Sequence, residues 1–587
     1  MDPRYFPLFL TAPIFAAALT YEVEFIGIKE SEVVQSMKDV SNLVSMRNRP
    51  PASVNGLRYR IASDIPSFID VLHAYAYYDA KISSDIREVD GIYQVDLLVE
   101  PGIQYELGSY QVYKGDCTQI ARIPECPPFK PKKLGLKIGD PALAVSIVNA
   151  ELNLLTQLSR CGYPLAKVEK RRVIVDMEEK KVEAASCIQE GPFAKFGPSN
   201  LLGLKTVQPR FVERRIAWKE GETYNSDFIE ETQARLLNSD LFSSVFINRG
   251  DTLDSQGELP MKIRVTEAKH KRISLGFFYA TVDGPGGSFQ WTFRNLRGMG
   301  EQLYLEADIS KRYMGGSATY KIPDFLRMNQ IYKAWGSVSR ENIHAYNSFN
   351  YVLANAIERK INKKTTGSIG LSLEHLDVTK SASNGNYLIL SLPVFAKYST
   401  ANDLLNPTKG YSIVYQGIPY QSFEGSDPRF YKQRLTGVFY IPIGTRRVVL
   451  ALRAQIGSIA GARQRDIPLP KLFLGGSEDD LRGYRYYTVS PLNSDNQPLG
   501  GRSAIFATIE NRFRVTETVG LVQFVDFGTV SLKEMPTVDE KWFKSAGFGV
   551  RYFTFFGPLR FDVGFPLNRR RGIDSKYRIY AAVGQAF

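Results

Sequence analysis

At 587 residues the chain is too long for one ordinary domain, and a hydrophobic content of 44% supplies material for several cores. Tyr (32), Phe (35) and Gly (47) are abundant while Cys and His number four each, a balance that suits twisted strands and tight turns and leaves little for acid–base or metal chemistry. The net charge of +13 is modest for this length. Basic residues fall in short runs such as Lys170, Arg171 and Arg172 or Arg569, Arg570 and Arg571, not in the stripes nucleic acid requires, so no nucleic-acid partner is expected.

The chain opens "MDPRYFPLFLTAPIFAAALT". Arg4 and the amino terminus are positive, residues 5–19 are mostly apolar, and Ala16, Ala17 and Ala18 supply small residues at the exit. Residues 1–20 therefore read as a secretory signal, and Pro7 and Pro13 argue against a buried first helix or strand. No later apolar run reaches the roughly 18 residues a membrane helix needs. Export without such a helix leaves a periplasm-like space or an outer membrane crossed by strands.

The next 250 or so residues repeat themselves at an offset of about 80. Each unit has a helical pattern ending at a bulky residue, then a strand pair, then a glycine-spaced exit. "FIDVLHAYAYYDAKISSDI" leads to "VDLLVEPGIQYELG", "ELNLLTQLSRCGYPLAKVEKRRVIVD" to "KVEAASCIQEGPFAKFG", and "FIEETQARLLNSDLFSSVFINRG" to "LPMKIRVTEAKHKRI". Tyr78, Tyr163 and Phe242 occupy one place, and the pairs Gly102 and Gly108, Gly191 and Gly197 share a spacing. Three small α+β domains are expected, over 21–101, 102–188 and 189–268. In the third helix Phe228, Thr232, Leu236 and Leu237 form the core stripe, with Asn225 or Ser226 as the cap. The sheet edges offer an extended peptide a place to add as a strand. All four cysteines, Cys117, Cys126, Cys161 and Cys187, lie in the second unit. In an exported chain this even cluster favours disulfides. Three connectivities are open, and Cys117–Cys126 with Cys161–Cys187 is the favoured one.

From Arg272 onward the period is two. In "RISLGFFYATV" Ile273, Leu275, Phe277 and Tyr279 share a face opposite Arg272, Ser274 and Gly276. "GSFQWTFRN", "QLYLEADIS" and "LRFDVGFPL" split the same way, the last placing Arg560 and Asp562 together. A strand with its connection at roughly 20 residues predicts about 16 strands, enough for a closed barrel with a lumen that holds folded loops. The chain ends on a strand-like "YRIYAAVGQAF". One segment, "LFLGGSEDDLRGYRYYTVSP", is too polar for a core strand and too aromatic for an ordinary loop. Its acids Glu478, Asp479 and Asp480 read as a solvated run.

The whole arrangement resembles the BamA/TamA superfamily of outer-membrane protein assembly factors. "WKEGETYNSDFIEETQARLLNSDLFSSVFI" looks like the last polypeptide-transport-associated (POTRA) domain, "LGFFYATVDGPGGSFQWTFRNLRGMGEQL" like the first two barrel strands, "LNPTKGYS" like a strand entry, and "LFLGGSEDDLRGY" like the family's signature loop. Three repeats make it most similar to the TamA branch. The resemblance implies that the Arg482, Gly483 and Tyr484 loop folds into the lumen, where Arg482 meets Glu510 and Asp526. A guanidinium offers carboxylates a fixed fork of donors. It also implies a weak lateral seam between the first strand (Ile273, Leu275, Gly276, Phe277) and the last (Gly584, Phe587).

The expected function is non-enzymatic. POTRA edges receive β-rich, autotransporter-like or other unfolded outer-membrane clients, and the seam passes them into outer-membrane lipid. A two-partner-type secretion pore is the alternative. A TamB-like inner-membrane-anchored partner is implied at the first POTRA domain. No catalytic constellation, metal site or cofactor is expected.

Overall fold

The computed structural model describes residues 19–280, 284–381, 384–424, 427–444, 447–555, 557–583 and 585. The expected signal lies outside these residues except for its last two, and Gly584 and Phe587 lie outside them as well. The chain divides into two compact units. One holds residues up to Leu202 with Arg215–Asn238 and Val245–Val265; the other holds Gly203–Arg214, Ser239–Ser244 and everything from Thr266.

In the first unit one plan recurs. Tyr21–Ile26 pairs in parallel with Ile92–Glu100, which pairs antiparallel with Lys81–Val89. Helices Ser31–Val40 and Val54–Ala74 bury Val33, Met37, Leu57, Phe68 and Leu72 against that sheet. The second sheet runs in the order Gln119–Ile120, Glu106–Lys114, Lys181–Gln189, Lys167–Asp176. Helix Ala144–Arg160 covers it with Ile147, Ala150, Leu154 and Leu158 at helical spacing. The third sheet has the order Lys195–Leu202, Glu258–Glu267, Phe242–Arg249. Its helix, Ser226–Leu237, starts at Asn225, whose side chain accepts from the Asp227 N–H at 2.9 Å. Thr232 and Leu236 are buried, but Leu237 is exposed. It lies a further 100° around the helix, past the edge of the face that the sheet covers.

The cysteines form Cys117–Cys187 and Cys126–Cys161, with Cα atoms 5.2 and 5.5 Å apart. This overturns the expected Cys117–Cys126 and Cys161–Cys187 pairing. The cause is register. Parallel pairing sets Tyr113 opposite Cys187, and the turn after Lys114, closed by the Cys117 N–H on the Lys114 carbonyl, folds Cys117 back beside it. The chain then returns along the sheet edge, and Cys126 reaches Cys161 at the C-cap of the helix.

The second unit contains one antiparallel sheet of seventeen segments, running in chain order from Lys271–Ala280 to Arg578–Val583. Gly385–Ser391 and Val394–Ser399 both pair with Thr365–Thr379, end to end. They are one strand broken at Leu392 and Pro393, since proline has no N–H for the ladder. Among the described residues the sheet therefore has sixteen strands. Ile273, Leu275 and Phe277 point outward, Phe277 being 93% exposed, and the outward positions of the other strands are similarly apolar, including Leu353, Ile369, Leu435 and Phe548. Inward positions carry buried polar and charged groups. This inversion, apolar outside and polar inside, is what a strand-built membrane barrel requires.

Candidate functional site

Residues 462–502 connect Val448–Gly461 to Ser503–Arg514 and fold into the barrel. The neck of this loop is closed by reciprocal hydrogen bonds between Gly475 and Val489, at 2.9 and 3.0 Å. Gly476 has φ +103°, and a Cβ there would lie 2.4 Å from the Arg485 carbonyl oxygen, so the turn accepts only glycine. Asp480 holds the turn from within, accepting the N–H groups of Gly476 and Ser477 at 2.8 and 2.7 Å and that of Leu481. Glu478 pairs with Arg560 at 2.7 Å. Asp480 is therefore not solvated as expected, while Asp479 is exposed and Glu478 stays half in solvent despite its ion pair. A tight turn leaves several N–H donors pointing one way, and an acid in the turn is the natural acceptor.

Arg482 is 2% exposed. Its Nε and Nη2 fork onto Asp526 at 2.9 and 2.8 Å, and its backbone N–H reaches the same carboxylate at 3.1 Å. Its Nη1 donates to Glu510 at 3.0 Å and to Asp562 at 3.3 Å. The guanidinium lies 3.3 Å from the centroid of Phe524, a cation–π contact strengthened by the burial of both side chains. Arg512 also pairs with Glu510, at 2.8 Å, and Arg551 pairs with Asp562. Arg482, Arg512 and Arg551 thus balance Glu510, Asp526 and Asp562. Near-neutrality is the condition under which buried ions are tolerated.

The next two residues fix depth. Gly483 has φ +95°, and a Cβ there would meet the Gly564 backbone at 3.0 Å. Loop and wall can pass this closely because both are glycine. The Gly483 N–H donates to the Tyr580 hydroxyl at 2.8 Å. Tyr484 is fully buried; its hydroxyl donates to the Lys544 carbonyl at 2.7 Å, and its ring meets Phe543 edge-on at 5.5 Å. Arg485, one residue on, forms no ion pair among the described residues.

Arg482, Gly483, Tyr484, Glu510 and Asp526 thus lie together. Sequence reasoning missed Asp562, Phe524, Tyr580 and the two balancing arginines. For Asp562 the signal existed, since period two had already placed it on the polar face of its strand.

Of the residues assigned to a seam, Ile273, Leu275 and Phe277 face outward, while Gly276 faces the lumen beside Ser288. The first strand pairs with Gly284–Arg294 and the last with Gly557–Pro566, over six residue pairs. Among the described residues no ladder joins the first strand to the last.

Small α/β domains ahead of a sixteen-stranded barrel with an apolar exterior and a plugged lumen define an outer-membrane β-barrel protein with periplasmic domains. Residues 295–587 match the Omp85 superfamily domain, and the chain belongs to that superfamily. The outer membrane protein assembly factor BamA of Nitratidesulfovibrio vulgaris is 24% identical over 541 residues, which cover 87% of this chain and 66% of that protein. BamA of Neorickettsia risticii is 22% identical over 403 residues, covering 64% and 52%. The chain thus spans less than two thirds of the length of either relative. The crystal structure of BamA from Haemophilus ducreyi lacking POTRA domains 1–3 has the same fold, with a TM-score of 0.67 and 16% identity over 81% of this chain and 99% of that one.

Proposed function

We propose that this chain is an outer-membrane protein assembly factor of the TamA type. It takes unfolded β-rich clients, autotransporter-like proteins among them, on its POTRA edges and passes them into outer-membrane lipid between its first and last barrel strands. The observation that carries this reading is that, among the described residues, no ladder joins Lys271–Ala280 to Arg578–Val583. An unpaired edge in a bilayer leaves N–H and C=O groups without partners, and a client strand satisfies them. The locked loop supports the same reading. It braces the last strand through Tyr580 and its neighbour through Gly564, so the barrel keeps its form while one seam stays weak. In the first repeat Lys81–Val89 is an edge strand, which favours capture of a client, or of a TamB-like partner, by strand addition.

The test is a scan of cysteine pairs between Ser274 or Gly276 and Ala582, made in the full chain reconstituted in liposomes. Oxidation of a formed pair should block client insertion, and reduction should restore it, with the barrel's heat-modified gel mobility unchanged. Full activity in a locked, folded barrel would rule out lateral passage. A two-partner-type secretion pore would instead pass its cargo through the lumen; such a pore requires the loop to leave, so single-channel conductance rising only in Arg482 variants would favour it.

A further inference from the structure

Helix Ala144–Arg160 in the second repeat carries an apolar face that the core of the repeat does not cover. Its core residues point at the sheet, yet on the far side Val145 (60% exposed), Val148 and Leu152 (58% exposed) recur at i, i+3 and i+7. The outer face of a surface helix is ordinarily polar. Thr156, one turn further on the same line, leads the stripe into a cleft of about 930 Å³. The cleft's other wall is the short turn Pro131–Leu134. Lys132 and Lys133 on that turn, and Lys130 just before it, are exposed and form no ion pair among the described residues. The neighbouring acids are paired with bases except Glu125, which keeps its charge at the cleft. Glu125 accepts from the Tyr163 hydroxyl at 2.9 Å, Asp140 pairs with Lys137 at 2.7 Å, Asp227 pairs with Arg160 at 2.7 Å, and Glu151 is buried against Arg171. The apolar stripe therefore runs, through Thr156, toward a cleft whose edge carries net positive charge, three lysines against Glu125.

The shape of this face is fixed in advance. Cys126–Cys161 ties the loop to the end of the helix. Asn153 donates to the Leu134 carbonyl at 2.9 Å and Gln157 to the Pro127 carbonyl at 2.8 Å. A surface held rigid loses little entropy when a partner arrives.

We propose that this face docks an acidic amphipathic segment of a partner protein, with leucine-type side chains on Val145, Val148 and Leu152 and carboxylates over Lys130, Lys132 and Lys133. Charge complementarity selects an acidic partner, and the stripe at helical spacing selects an amphipathic one. An anionic bilayer meets the charge requirement too, but a flat headgroup plane leaves a concave cleft empty.

The experiment uses the full chain in nanodiscs and a fluorescent synthetic peptide with leucines at i, i+3 and i+7 and glutamates between them. Saturable, salt-sensitive binding is expected. It should weaken about tenfold or more in Leu152→Glu and in the double variant Lys132→Glu/Lys133→Glu, as for central contacts of an interface. A lysine-for-glutamate peptide should recover binding to the double variant, a rescue that mere misfolding cannot give. Cys126→Ser/Cys161→Ser should bind more weakly than the native chain. Absent saturable binding, or binding indifferent to both substitutions, overturns the proposal. So does binding of phosphatidylglycerol vesicles through these same side chains when the peptide fails, which would make the face a membrane contact.

Discussion

Two loops of this chain are fastened by opposite means. Residues 115–143 in the second repeat are stapled by two disulfides and packed on an apolar core. Residues 462–502 in the barrel contain no cysteine and are fastened by an arginine among three carboxylates. A disulfide acts largely on the unfolded chain and, in an oxidising compartment, stays closed. A buried ion cluster acts only in the folded state, and every member depends on the others. The first device sets a shape permanently; the second holds one arrangement strongly yet can be released without chemistry. The first suits a surface whose form never changes, the second a loop that is held in place yet not covalently tied.

The sharpest way to break the comparison is Arg482→Met. It leaves Glu510, Asp526 and Asp562 facing one another with too few cations, a loss of about 3–5 kcal/mol by analogy with other broken buried pairs. Urea unfolding of the barrel, read by heat-modified gel mobility, should shift strongly downward. Arg485→Ala, which removes no ion pair among the described residues, should cost less than about 1 kcal/mol. Equal losses would place the lock elsewhere.

The staples should give a smaller and local effect. Replacing either cysteine pair by serine should destabilise the second repeat by about 2–4 kcal/mol. The Cys117–Cys187 loop, at a sequence separation of 70 against 35 for Cys126–Cys161, should cost about 0.6 kcal/mol more, because loop-closure entropy grows only logarithmically. Proteolysis of the repeat measures this, and the barrel's gel mobility should not change. Peptide mapping without reduction should recover Cys117–Cys187 and Cys126–Cys161. Recovery of Cys117–Cys126 would contradict the register that pairs Tyr113 with Cys187.

What the sequence disclosed, and what it hid, follows the same divide between local pattern and long-range register. Period two exposed the barrel because each outward face had to be apolar, and it set Arg560 and Asp562 on one polar face without knowledge of any partner. Asp562 and Tyr580 meet residues 80 and 97 positions away, contacts set by how deep the loop sits, which alternation does not encode. The cysteines failed for a related reason. Parallel pairing between Glu106–Lys114 and Lys181–Gln189 joins segments far apart in the chain, so proximity in sequence was a poor guide to proximity in space. The solvated reading failed at Asp480 because a charged run looks the same in sequence whether water or a folded-in turn surrounds it.

Tyr484→Phe sharpens the comparison within the barrel loop. It keeps the ring against Phe543 and removes only the hydroxyl that donates to the Lys544 carbonyl at 2.7 Å. A loss of about 1 kcal/mol is expected, well short of Arg482→Met, if charge holds the loop and the tyrosine merely seats it. A loss matching that of Arg482→Met would move the weight of the lock from ions to packing.

The smallest expected effect concerns a third fastening, neither staple nor ion cluster. Glu267, just before the first barrel strand, accepts the N–H groups of Lys205, Thr206 and Val207 at 2.7, 2.9 and 2.9 Å and the Thr206 hydroxyl at 2.6 Å, with His270 Nε2 at 3.3 Å. Burial pushes its carboxyl pKa up, but the Thr206 hydroxyl and the three N–H groups together outweigh burial and hold it down, from 4.5 to about 2. Because the folded value lies below the ordinary one, the charged form is favoured by folding. The stabilisation is complete above about 4.5 and disappears as pH falls through about 2. Hydrogen exchange at the amides of residues 205–207 should therefore show protection, corrected for intrinsic rates, that declines across that window. Glu267→Gln retains an acceptor oxygen without the charge, so its protection should be lower at pH 6 and flat down to pH 2.5. Parallel profiles in the two proteins would mean that the amides are protected by burial alone and that the carboxylate contributes no fastening of its own.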